Sequence, residues 1–165
     1  MRVATCLLLL GSVAGAAPCE EAHRFATWKY GWAITYGGLT AAQLTLAATH
    51  TNPLGPYDDR FRDTLYIGSI ESGLGSIAML VTPGLTCDPI ADGRAERTLF
   101  FGGHIGNFLV NAAGSLILAH YATWSDAALS FAIGYPIGLL NTYTMPRHAW
   151  HVLPTGNGIA IAGVF

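Results

Sequence analysis

Apolar residues gather into four long blocks along this chain, at residues 28–48, 65–81, 99–119 and 127–143, with short polar stretches between them. A helix needs ~20 mostly apolar residues to cross ~30 Å of hydrocarbon. The first and third blocks reach that length. The second and fourth fall slightly short and need flanking residues or local thinning of the bilayer. A helix on the surface of a soluble bundle would show a polar face in every block, whereas here the charges sit in the flanks. The pattern predicts an all-α membrane protein, a left-handed antiparallel bundle of four transmembrane helices.

Residues 1–16 carry the marks of a secretory signal peptide. Arg2 forms a minimal basic region, residues 3–13 an apolar core, and Ala14-Gly15-Ala16 a small-residue cleavage site. Residues 17–165 then form one four-helix transmembrane domain that ends in a short interfacial tail. The expected location is a bacterial inner (plasma) membrane, with the N-terminus external after cleavage. The positive-inside rule opposes this orientation, because Arg24, Arg94, Arg97 and Arg147 fall outside and only Arg60 and Arg62 inside. The signal is preferred, since so few charges give a weak bias. Cys19 and Cys87 both lie on the external, oxidising side, where a disulfide between them is expected.

Composition sharpens the picture. The chain is 52% hydrophobic and 11% charged, against roughly 25% charged in an average soluble domain. Mean hydropathy is +0.40. A net charge of −2 and the absence of a basic run give no footprint for nucleic acid. Gly68, Ser72 and Ser76 recur every four residues in the second block, and Ser130, Gly134 and Gly138 do so in the fourth. Small residues in this rhythm let helices approach closely in lipid, so both rows read as packing seams. Pro136 should kink the fourth helix.

A few polar residues inside the blocks need a reason to be there. Glu71 is flanked by Ile67, Ile70, Leu74 and Ile77. An intramembrane carboxyl is costly and must be paired, protonated or facing a cavity. His104, Asn107, Asn111 and Ser115 follow helical spacing, so they form one stripe that should face the bundle interior. The stripe reads either as interhelical hydrogen-bond glue or as the lining of a polar path shared with Glu71.

Histidines offer another chemistry, because neutral imidazole is the usual transition-metal ligand. His50 and His120 end the first and third blocks, and His148 and His151 lie three apart in the tail. No covalent-haem, zinc-protease, nucleotide or hydrolase motif accompanies them. No cofactor is therefore assigned. Three functions remain open. The first is a non-enzymatic structural or accessory subunit, whose partners are the bilayer and a second copy or a membrane complex. The second is a small transport or proton/cation-coupling protein using Glu71 and the stripe. The third is a haem- or metal-binding redox subunit.

Overall fold

The computed structural model describes residues 17–53, 55–146, 151–155 and 158–162. The expected signal peptide and His148 lie outside these residues. Four helices form the fold: α1 (Ala17–Ala48), α2 (Asp59–Val81), α3 (Pro89–Tyr121) and α4 (Trp124–Tyr143). The all-α, four-helix expectation therefore holds for the body of the chain. Among the described residues one helix, α2, is long and apolar enough to cross a membrane by length and composition. The other three are diluted by their polar residues, such as the α3 stripe.

Each helix outruns its apolar block, because helix ends are set by capping rather than by hydropathy. Asp58 accepts a bond from the Phe61 amide at 2.8 Å and starts α2. Asp88 accepts from the amides of Ile90 and Ala91, and Pro89 occupies the first turn, where its missing N–H costs nothing. This signal starts α3 ten residues before the apolar block. Thr123 caps α4 through the Asp126 amide and donates to the Asp126 carboxylate at 2.6 Å.

The tail contains two strands, which the helical blocks do not predict. Strands β1 (His151–Thr155) and β2 (Gly158–Ala162) pair antiparallel, with Thr155 opposite Gly158 and His151 opposite Ala162. Val152, Ile159 and Ile161 favour extended backbone, and Gly-Asn-Gly between the strands is hairpin chemistry.

The chain divides into two compact units. One comprises Met1–Trp28, Pro83–Phe100 and Met145–Phe165. Its fully buried carboxylate, Asp92, accepts from the Thr86 amide and hydroxyl and from the Cys87 amide, which closes the loop ahead of α3. Phe25 is also fully buried, against Trp28 at 5.2 Å between ring centroids.

The other unit, Lys29–Thr82 with Phe101–Thr144, holds the helix–helix seams. On α1 and α2, Thr40 meets Ser72, Ser72 donates to Gln43, and Ser76 donates to the Ala33 carbonyl at 2.9 Å. Lys29 is buried beneath the Tyr30 ring and donates to the Thr82 carbonyl. This ammonium closes the end of the α1–α2 pair. The Trp32 indole donates to the Thr144 hydroxyl, joining α1 to the end of α4.

Helix α1 ends in a Schellman turn. The Thr51 amide donates to Leu46 and the His50 amide to Ala47, while His50 takes a left-handed φ of 53°. Glycine normally occupies this position, because a Cβ there is strained. The His50 ring lies 5.2 Å from that of Tyr57, a compensating contact. His50→Gly is expected to stabilise the purified protein by ~0.5–1 kcal/mol. His50→Ala keeps the strain, loses the ring contact and should destabilise it. Thermal unfolding followed by circular dichroism reads both.

Candidate functional site

The polar residues inside the helices have two structural habits. They bond to a neighbouring polar group, or they sit on a glycine of the facing helix. Between α3 and α4 the second habit becomes a register. Gly103 faces Thr142, Asn107 faces Gly138, and Asn111 faces Gly134, in steps of four along both helices and in opposite directions. A Cβ at Gly138 would overlap the whole Asn107 amide, and one at Gly134 would overlap Asn111 Oδ1. The glycines are therefore notches that admit the amides. Between α1 and α2, Gly68 takes Gln43 and Gly75 takes the face of Tyr36 in the same manner.

The notched amides are then tied down. Asn107 donates to the Tyr135 carbonyl at 3.0 Å. Asn111 donates to the Asn107 carbonyl at 2.9 Å and to its side-chain oxygen at 2.7 Å. Asn141 on α4 donates to the sulfur of Met79 on α2 at 3.5 Å. The first expected small-residue row, Gly68, Ser72 and Ser76, faces α1, and of the second row Gly134 and Gly138 face α3.

The stripe on α3 thus looks inward over much of its length. Asn111 and Ser115 are both buried. His104, at the other end, packs edge-on against the Tyr143 ring at 5.2 Å. The Ser115 hydroxyl is buried with no hydrogen-bond partner.

Glu71 meets the stripe at this point. Its side chain crosses from α2 to α3 and lies on Gly114, next to Ser115, where a Cβ would collide with the carboxyl. Oε1 is buried and has no hydrogen-bond partner. An apolar cleft of about 270 Å³ lies beside Glu71, walled by residues of α2 and α3. Glu71 and the stripe are therefore neighbours, as the sequence suggests. The notch that receives Glu71 is absent from the sequence reading, although Gly114 beside Ser115 is the one signal that could have pointed to it.

Three of the histidines each rest against an aromatic ring. His50 contacts Tyr57, His104 contacts Tyr143, and His120 stacks edge-on with Tyr121 at 5.0 Å. Among the described residues, no three His, Cys, Asp or Glu residues gather where they could hold a metal ion. The side chains of His148 and His151 lie outside the described residues, as does that of Cys19. Cys87 sits in the loop before α3 with a left-handed φ of 69°.

No protein-family model matches the chain, and comparison with curated proteins and with solved structures finds no match.

The seam has a genetic signature. Gly138→Ala should destabilise the fold by about 1–3 kcal/mol, because the Asn107 amide is bonded in place and cannot yield. In an Asn107→Ala background the notch is empty. There the same substitution should stabilise the protein by up to ~1 kcal/mol through helix propensity. Chemical unfolding of the four variants of this cycle measures the sign change.

Proposed function

We propose that the chain is a four-helix bundle embedded in a bacterial inner membrane, where it acts as a non-enzymatic structural or accessory subunit. One observation carries this reading, the inside-out distribution of side chains. Ile34 is 75% exposed, Ile70 62%, Leu116 62% and Ile133 57%, while Ser69, Ser72, Asn111, Ser115, Asn141 and Thr142 are buried. Scattered surface leucines are ordinary in soluble proteins. A bundle that buries its amides and hydroxyls and turns its largest apolar side chains outward matches a hydrocarbon solvent, where close packing and interhelical polar bonds hold helices together. The same outer faces suit contact with lipid, with a second copy, or with a membrane-complex partner.

In this reading the N-terminal end of α1 and the loop before α3 lie on the external side. That supports the expected Cys19–Cys87 disulfide. Membranes washed in alkaline carbonate should retain the protein; its release into the wash rejects the embedded reading. On a non-reducing gel, Cys87→Ser should migrate more slowly than the parent chain. Unchanged mobility rejects the disulfide.

A second reading rests on the unpartnered Glu71 oxygen. The packing amides are satisfied, whereas this carboxyl is not, and an intramembrane carboxyl without a partner fits proton or cation coupling. Glu71→Gln separates the two functions. A structural subunit keeps its stability and assembly with the isostere, whereas a coupling protein loses proton or cation movement across reconstituted vesicles. Retained movement sinks the second reading.

A further inference from the structure

The packing of Glu71 raises a question that neither function answers: from which side is the carboxyl approached? Beside Glu71 the cleft is walled by Ile67, Ile70 and Leu74 of α2 with Leu109, Ala113 and Ile117 of α3. Ile70 is 62% exposed and Leu109 58%, so the cleft opens onto the apolar exterior of the bundle. Its volume of about 270 Å³ is many times that of one water, ~30 Å³. It lies just below the usual range of small-molecule pockets, ~300–1,000 Å³. Water finds few partners on such walls, because a buried water needs two to four polar contacts. Glu71 belongs to the lining as well, and its Oε1 lies buried on Gly114 without a hydrogen-bond partner. Apolar walls with one hydrogen-bond acceptor beside them define a complementary molecule, apolar along its body and carrying an O–H or N–H donor at one end.

The geometry points to the α2–α3 cleft as a lateral binding site, entered from the bilayer, for a lipid-soluble molecule whose donor end bonds the Glu71 carboxyl. The site rests on the membrane-embedded reading and gives the Glu71 reading a ligand class. The Gly114 notch lets the carboxyl lie flat on α3, which leaves the cleft free for the ligand body. No bond is made or broken. The ligand donates a hydrogen bond to the carboxyl and buries its apolar part.

The test uses the full chain in phosphatidylcholine vesicles, with carbodiimides as reporters. A carboxyl bearing its proton adds to a carbodiimide and retains the whole reagent, so intact-mass spectrometry counts the adduct and peptide mapping places it. Lipid-soluble dicyclohexylcarbodiimide should label Glu71, while a water-soluble carbodiimide should not. Glu71→Gln should abolish the adduct. Ala113→Phe, which fills the cleft from an exposed position, should suppress it, and Ala128→Phe, on an exposed part of α4, should not. Ligand class is read by protection. 4-Pentylphenol should shield Glu71 at about tenfold lower concentration than pentylbenzene, which has the same body without the O–H. Equal protection by the two, or protection by neither, overturns the donor-bearing ligand. Equal labelling by both carbodiimides, or labelling unchanged by Ala113→Phe, overturns lateral entry and leaves proton or cation coupling from water standing. Labelling by neither reagent overturns the site and leaves Glu71 a packing residue. Carbonate extraction reports separately on the membrane reading.

Discussion

Close approach of helix backbones, made possible by polar side chains seated on glycines, is the constraint on which the rest of this bundle depends. The interior of its larger unit holds few large apolar side chains; Leu118 is the fully buried one. A soluble core would draw its cohesion from burying leucine and phenylalanine. Here those residues face outward, and the facing helices are held by dispersion at the notches and by bonds such as Asn107 to the Tyr135 carbonyl. Interhelical polar bonds in lipid average only ~0.6 kcal/mol each, with maxima near ~1.7. In the membrane reading the bond from Asn107 to the Tyr135 carbonyl therefore needs the close approach at the glycine notches beside it to hold α3 against α4.

The candidate site is the exception to this rule. Gln43, Asn107, Asn111 and Thr142 each meet a notch, and the bonded amides close a local network. Glu71 meets a notch and closes nothing. An unsatisfied group in an apolar setting costs several kcal/mol. A side chain chosen only to fill the Gly114 notch would not need a carboxyl, which gives the cleft beside it its functional interest.

Much of this was legible in the sequence, and the limits have physical causes. The rows Gly68-Ser72-Ser76 and Gly134-Gly138, and the stripe from Asn107 to Ser115, are visible because helical spacing places them on one face. What each row faces is invisible without the register between helices, so Gly103 and Gly75 carried no signal as partners of Thr142 and Tyr36. The helix ends were missed because apolar length marks only the part of a helix that suits hydrocarbon, whereas Asp58, Asp88-Pro89 and Thr123 set where the backbone begins to wind. The role of Lys29 is invisible in the sequence because its partner is a backbone carbonyl, Thr82, far along the chain. The hairpin was overlooked although Gly156-Asn157-Gly158 announces a turn, because short strands give a weak period.

The alternation along the α3–α4 seam also fixes which movements the bundle can make. Sliding α4 by one turn, ~5.4 Å, in one direction would drive Thr142 onto Asn107. In the other it would leave Gly103 facing Gly138 across an empty gap. Either way a bulky group loses its notch, so these two helices resist piston-like displacement and travel as a single strut. Helix α2 rests against α3 at Gly114 through a carboxyl that makes no hydrogen bond there. A tilt of α2 away from that strut would widen the opening beside Glu71 and leave the bonds of Asn107 and Asn111 intact, at the cost of the Asn141 bond to Met79.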